Sequence, residues 1–523
     1  MRQAIVGLVV AISFLVAGPL VAEDQLEREF LAPPDAAKAW CYWWWLNGAA
    51  SNEGITRDFE EMKRQGIGGA LLFDAGEAGP EAPRGPQFMS PEWRELYKHA
   101  VREADRLGIV LGVNLCSGWN AGGAWVTAEH AAKKIVGAPA TVKGPGRVSV
   151  DLPQPANVQG FYQDIAVLAC PVPEGASPEP QLSASSSFRD YLPALAQDGL
   201  DDTRWISNGD KPGMGPTAEK PEHLQFDFAE PWPAAALYLK AYSDCGPKDI
   251  EIQCSDDGTT YRTIQRATVA PRQELTVPFD EVPSKHFRVV FLSSHPHQGQ
   301  ECWNVQVAEV GLLTRRQRET SGYRPRGTWD RSQAVDLTKF MDPQGRLTWD
   351  APSGEWNLLR LGCTLHGNAI KCVGSGPSGL EIDTMSAAAM DAHFAETGAK
   401  LIADAGPLAG KSLQYFHIDS WELGQPTWTP AMRDEFQRRR GYDPLPYLPT
   451  LVNKTVDDAA VTQRFLEDYR RTAADLVAAH YYGRLRELTL QGGLRGTHPE
   501  SGGPFFEHWI DALQCEGIND VPM

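Results

Sequence analysis

Two acidic segments carry the chemistry that this chain can be expected to perform. The first is Leu413 to Gly424, LQYFHIDSWELG, where an apolar, aromatic run of strand length breaks off at Asp419-Ser420-Trp421-Glu422. The second is His498-Pro499-Glu500-Ser501. Cleaving a glycosidic bond needs a carboxylic acid that still holds its proton beside the leaving oxygen, and a second carboxylate that activates water or attacks. Glu422 and Glu500 are the candidates for that pair. Burial against an aromatic such as Trp421 would raise a glutamate's pKa and keep it protonated near neutrality. An aromatic set between two acids also suits a sugar, whose apolar ring faces stack while its hydroxyls seek acceptors. The competing reading has Asp419 capping the next helix and Glu422 as a solvated loop acid. His417 and His498 read as structural or substrate-bonding residues rather than metal ligands. No HExxH, P-loop, GxSxG or Rossmann glycine pattern offers a rival chemistry.

Such residues work when strands present them at their carboxyl ends, as parallel α/β folds do. The chain has that grammar early. Trp40 to Gly48 is a strand of almost pure aromatics; Ile55, Phe59 and Met62 share one helical face, and Gly66 stops that helix. Gly69 to Phe73 is the next strand. Ser90-Pro91 starts a second helix, whose stripe of Trp93, Leu96, Tyr97, Ala100, Val101 and Ala104 ends at Gly108, and Ile109 to Leu115 is a third strand. Trp44, Asn47, Asp74, Asn114 and Trp119 lie in or just after these strands and are candidates for binding substrate, with Asp383, Asp419, Trp421 and His498 from the later part. From about Val136 to His366 turns and short alternating strands replace helical periods, which predicts an antiparallel β insertion. Helical grammar returns at Ser386 to His393 and in an amphipathic segment from Phe465 to Leu488. One α/β domain split by a β insertion is the expectation; two small α/β domains are the alternative.

Composition narrows the partners. The 523 residues are 42% hydrophobic and 22% charged, an ordinary globular balance for two or three domains. A net charge of −18 argues against nucleic acid and anionic membranes, which need a basic surface. Residues 1–22 read as a signal peptide, too short in its apolar run to span a bilayer, so the protein is expected to be exported, periplasmic or extracellular, with no membrane span. No obligate protein partner is evident. Nine scattered cysteines without a CxxC pair argue against a structural zinc; Cys245 with Cys254, or Cys363 with Cys372, could pair in an oxidising compartment.

Longer stretches carry a family resemblance. Trp43-Trp44-Trp45-Leu46-Asn47-Gly48, Glu53-Gly54-Ile55-Thr56, Gly66-Ile67-Gly68-Gly69, Phe88-Met89-Ser90-Pro91-Glu92-Trp93, Gly379-Leu380-Glu381-Ile382-Asp383, Asp419-Ser420-Trp421-Glu422, Arg440-Gly441-Tyr442-Asp443-Pro444 and Ile518 to Met523 resemble bacterial α-L-rhamnosidases of glycoside hydrolase family 106. The resemblance implies a (β/α)8 catalytic barrel, an inverting mechanism on rhamnose-containing glycans, calcium near the sugar hydroxyls, and Glu422 as the general acid. Glu500 stands as the base candidate, although the family pattern puts the base beyond Met523 and so implies an incomplete copy. A second resemblance, to discoidin-like (F5/8 type C) domains, covers most of Asp198 to Leu313 through Asp202 to Gly209, Leu224 to Phe228, Ile250 to Gly258, Phe287 to Phe291 and Trp303 to Val310. The expected boundaries are therefore 1–22 signal peptide, 23–135 first barrel part, 136–184 β connector, 185–315 discoidin-like sandwich, 316–375 β connector and 376–523 second barrel part. A related barrel glycosidase with another sugar preference, or a carbohydrate-binding protein without activity, are the alternatives.

Overall fold

The structure, a computed structural model, describes residues 27–76, 83–172, 180–197, 203–296, 299–320, 323, 329–419, 426–452, 454–501 and 509–522. The expected signal peptide, Trp421 and Glu422 lie outside them. The chain forms two compact units, one of Met1–Lys133, Leu365–Ala431 and Arg471–Met523, the other of Lys134–Thr364 and Met432–Arg470.

The first unit is built on a five-stranded, wholly parallel sheet: β1 (Trp40–Leu46), β2 (Gly69–Ala75), β3 (Val110–Ser117), β4 (Leu413–His417) and β5 (Gly496–Thr497), in that spatial order. Helix α1 (Asn52–Arg64) joins β1 to β2, and α2 (Pro91–Leu107) joins β2 to β3. Local chemistry sets their ends. The Ser51 hydroxyl accepts from the Gly54 amide and Ser90 from the Trp93 amide, while Gly108 closes α2 in the left-handed conformation. α3 (Ala387–Glu396) and α4 (Gly398–Ala405) precede β4. The amphipathic segment read as one helix is instead α5 (Ala459–Val477), a π turn over Ala478–Gly483, and α6 (Arg484–Gln491).

Alternation along β1 decides what each sheet face carries. Trp43 and Trp45 are buried against the helices, Trp43 meeting Phe59 at 4.8 Å and Trp45 meeting Trp93 at 5.3 Å between ring centroids. Trp40, Tyr42 and Trp44 point to the opposite face and stay 40%, 40% and 42% exposed. Two glycines make room on that face. A Cβ at Gly69 would fall 2.3 Å from the Trp40 ring, and one at Gly112 would fall 2.5 Å from His498 Nε2.

The second unit is β-rich. Arg262–Thr268, Asp249–Ser255, Glu274–Phe291, Glu222–Ala241, Gln306–Leu313 and Trp205–Ile206 pair antiparallel in that order, with Gln181–Ala184 also on Glu222–Ala241. They share a core that includes Trp205, Leu224, Phe226, Phe287 and Phe291. A four-stranded sheet of Val335–Asp336, Gln163–Pro171, Arg346–Leu365 and Lys133–Asp151 has its own core around Trp349 and Trp356. Residues 432–470, assigned to the second α/β part from sequence, cluster with this unit. All nine cysteines are free thiols, so neither Cys245 with Cys254 nor Cys363 with Cys372 is bonded. Among the described residues no helix is long and apolar enough to cross a membrane.

Candidate active site

The carboxyl ends of β4 and β5 meet. The Glu500 amide donates to the Ile418 carbonyl at 3.1 Å, and the His498 amide to the Phe416 carbonyl at 3.1 Å, so the Glu500 segment runs beside the one that leads to Asp419. The His417 imidazole fixes the join. Its Nδ1 lies 2.7 Å from the His498 carbonyl oxygen, which can only accept, so Nδ1 carries the proton and Nε2 faces Asp419 Oδ1 at 3.5 Å. His498 packs against His417 at 5.3 Å, Trp40 at 5.6 Å and Tyr415 at 5.7 Å. Burial, then the nearby His417, pushes the His498 pKa down to about 3, so the ring is neutral at physiological pH.

Two tyrosines sense both acids. Burial raises the Tyr42 pKa to about 12, and the charges of Glu500 and Asp419 add to the rise. Tyr482, fully buried in the π turn, feels the same two carboxylates and donates its hydroxyl to the Glu500 carbonyl at 3.4 Å. Such a turn inserts one extra residue into a helix and re-aims the side chains around it. Aromatic rings continue the surface: Tyr42 stacks on Trp44 at 5.4 Å, Trp44 meets Phe73 at 4.7 Å, and Trp119 closes on Trp44 and Phe73 at 5.8 and 5.7 Å. The structure thus brings together Trp44, Trp119, Asp419, His498 and Glu500, a surface of ring faces and carboxylates of the kind that can stack on a sugar ring and accept from its hydroxyls.

The other sequence candidates are buried rather than exposed on that surface. Asp74 is fully buried and aims away from it, with Oδ2 accepting from Trp93 Nε1 at 3.0 Å and Oδ1 from Ser117 Oγ. Burial raises its pKa to about 6 against those two hydrogen bonds. Asn114 is also fully buried, its amide donating to the carbonyls of Cys116 and Gly118 at 3.3 and 3.2 Å, which braces the turn after β3. Asn47 holds a left-handed turn (φ 53°), and its carbonyl accepts from Gly85 N and Ser375 Oγ. Asn47 and Asp74 brace the strand ends on the helix side of the sheet, whereas Asn114 lies opposite His417 on the face of Gly112 and reaches the Asp419 segment through Cys116. A side chain's position at a strand end does not reveal which sheet face it takes.

Asp383 is 1% exposed; Oδ1 accepts from the Met385 amide at 3.1 Å and Oδ2 has no partner. Burial raises its pKa to about 6, opposed chiefly by buried Lys133. Sequence reading passed over its neighbour Glu381. The two-residue strand Leu380–Glu381 pairs with Gly122–Gly123, which brings Glu381 Oε1 to 3.5 Å from Asn120 Nδ2 and leaves Oε2 unpartnered. Burial pushes its carboxyl well above the usual carboxylate range, and the charge of Asp383 adds to the rise. The signal was the run Gly379 to Asp383, in which only Asp383 was singled out. Among the described residues no three His, Cys, Asp or Glu side chains converge on a metal site. Glu381 Oε2 and Asn120 Oδ1 are unpartnered oxygens, short of the six to eight that calcium takes.

Comparison with known proteins then adds the lineage. The profile of glycoside hydrolase family 106, alpha-L-rhamnosidase, matches residues 31–523. The structure of a rhamnosidase from Novosphingobium sp. PP1Y superposes with a TM-score of 0.68 at 28% identity, over 95% of this chain and 49% of that one. A candidate beta-glucuronidase of Formosa agariphila is 28% identical over 503 residues, 95% of this chain and 32% of that protein. The chain spans about half the length of the first and about a third of the second. By its sequence over nearly its whole length, it belongs to the alpha-L-rhamnosidase family, glycoside hydrolase family 106.

Proposed function

We propose that the protein removes terminal α-L-rhamnose from polysaccharides or glycosides by an inverting acid/base mechanism, with Glu422 as general acid and Glu500 as the base that activates water. The observation that carries the reading is the junction of β4 and β5, where Asp419 and Glu500 share the neighbours Tyr42 and Tyr482 beside the Trp44–Trp119 surface. An inverting site leaves room for water between acid and base. Neutral His498 orients there without adding charge, and His417 holds the two strand ends together. In the same reading the five parallel strands are an arc of a (β/α)8 barrel. Their order, β1 to β5 without reversal, follows barrel winding, whereas a doubly wound sheet changes direction midway. The antiparallel strands between Gln181 and Leu313 correspond to the discoidin-like domain, and export follows from the apolar amino-terminal run.

Turnover of an aryl α-L-rhamnoside tests the reading. Loss of that turnover in Glu500→Gln with retained sugar binding is expected; an active Glu500→Gln protein would remove Glu500 as base. A uronide-cleaving relative with another sugar preference is the second reading, favoured by the name of the Formosa agariphila protein, and an aryl β-glucuronide in the same assay separates the two. Calcium belongs to the proposal through the family resemblance alone, and no step is assigned to it. Chelation followed by readdition should lower and restore activity; unchanged rates would remove the ion.

A further inference from the structure

The β unit holds a pair of thiols that glycoside cleavage does not use. Cys245 follows the strand Glu222–Ala241 and is 4% exposed; Cys302 lies just before Gln306–Leu313 and is half-buried. Gln306 laces the two loops together. The Tyr242 amide donates to its carbonyl at 3.4 Å, its own amide donates to the Cys245 carbonyl at 3.1 Å, and the Ser243 hydroxyl donates to its Oε1 at 2.9 Å. Gln306 Nε2 also donates to Asn304 Oδ1 at 3.1 Å, and Cys302 Sγ lies 2.7 Å from the Asn304 carbonyl oxygen. The adjoining strands are in register, Val307 opposite Ala241. The lacing brings the loop of Cys245 against the loop of Cys302, and each thiol is the largest influence on the other's ionisation. A disulfide needs Cα atoms about 4.4–6.8 Å apart, a spacing typical of adjacent antiparallel backbone. Cys116, Cys170, Cys254 and Cys515 are buried among other kinds of neighbour.

We propose that Cys245 and Cys302 are a redox pair that closes to a disulfide in an oxidising, thiol-exchanging environment, while the other seven cysteines remain thiols. The oxidant is a low-molecular-weight disulfide such as oxidised glutathione. One cysteine thiolate attacks a glutathione sulfur and expels a glutathione thiolate, leaving a mixed disulfide. The second cysteine gives up its proton and attacks the protein-bound sulfur of that mixed disulfide, expelling the other glutathione thiolate. Two protein thiols are oxidised, one disulfide is reduced to two glutathiones, and the two protons released end on them. The bond would tie down the loop carrying Tyr242, over whose ring Arg204 lies at 4.1 Å while it also covers Tyr191 at 4.7 Å.

The test uses the full chain equilibrated in oxidised and reduced glutathione, alkylated with N-ethylmaleimide, digested without reduction and mapped by mass spectrometry. A crosslinked peptide joining Cys245 to Cys302, with seven alkylated cysteines, is expected. Oxidation should also raise the melting temperature by about 5 °C in the wild type and leave Cys302→Ser unmoved. Both peptides alkylated under oxidising conditions, a glutathione adduct without crosslink, or linkage to any other cysteine would overturn the pair. If Cys302→Ser does not fold, the wild-type peptide map alone decides.

Discussion

At the scale of single residues, the acids fall into two sets with opposite duties. In the proposed mechanism Glu422 and Glu500 carry the reaction. Glu422→Gln should cut turnover about a hundredfold or more on natural linkages and far less on substrates with a good aryl leaving group, which need little protonation. Equal losses on both substrate classes, measured as kcat/KM, would leave Glu422 as a binding or structural residue. Asp74, Asp383 and Glu381 are buried instead, and burial raises the pKa of all three. For Asp74 the folded pKa, about 6, lies above the reference 3.8. The folded state therefore holds a proton that the unfolded chain has lost between those values. Its stabilising effect is complete below about pH 4 and disappears as pH rises through about 6, an effect on the order of 2–3 kcal/mol at most. Wild-type melting temperature should then rise on acidification from pH 7 to 5 by more than that of Asp74→Asn. Parallel curves would show that Asp74 titrates normally.

At the scale of elements, Gly112 on β3 decides whether the end of β5 can take its place. A methyl group there meets the His498 ring, so Gly112→Ala should destabilise the protein by about 1–3 kcal/mol and lower activity by displacing the segment that ends in Glu500. Thermal melts and rates on the aryl rhamnoside measure both; an unaffected variant would mean that the ring yields without carrying Glu500 with it. By contrast, Ser90→Ala removes only the cap of α2 and should cost about 1 kcal/mol of stability, leaving KM unchanged. The run β1 to β3 was legible because its signals are local: apolar runs of strand length, serine caps, and glycines at helix ends. Glu381 was not, since its burial comes from pairing with Gly122–Gly123, more than two hundred residues away. The π turn was equally hidden, because its apolar spacing reads as a plain helix while its register aims Tyr482 at the Glu500 segment.

At the scale of the whole molecule, the β strands from Gln181 to Leu313 surround a core drawn from their own residues. A piece spanning 181–320 should therefore fold cooperatively with a β-rich circular dichroism spectrum, and an unfolded product would show that it leans on its neighbours. The chain's routing has a consequence for synthesis. About 300 residues separate β3 from its sheet neighbour β4, so at 5–20 residues per second the aromatic β1–β3 segment waits roughly 15–60 s on the ribosome for its partner. The intervening unit shortens the search that follows. Its first and last long strands, Lys133–Asp151 and Arg346–Leu365, are sheet neighbours, and the His366 amide donates to the Ala132 carbonyl at 2.7 Å where the chain leaves and returns. Once those two strands have paired, Ala132 and His366 are held together, and a closure that would have spanned hundreds of flexible residues becomes a short one. The path of the chain thus lets Lys133–Asp151 and Arg346–Leu365 pair before β4 has been made.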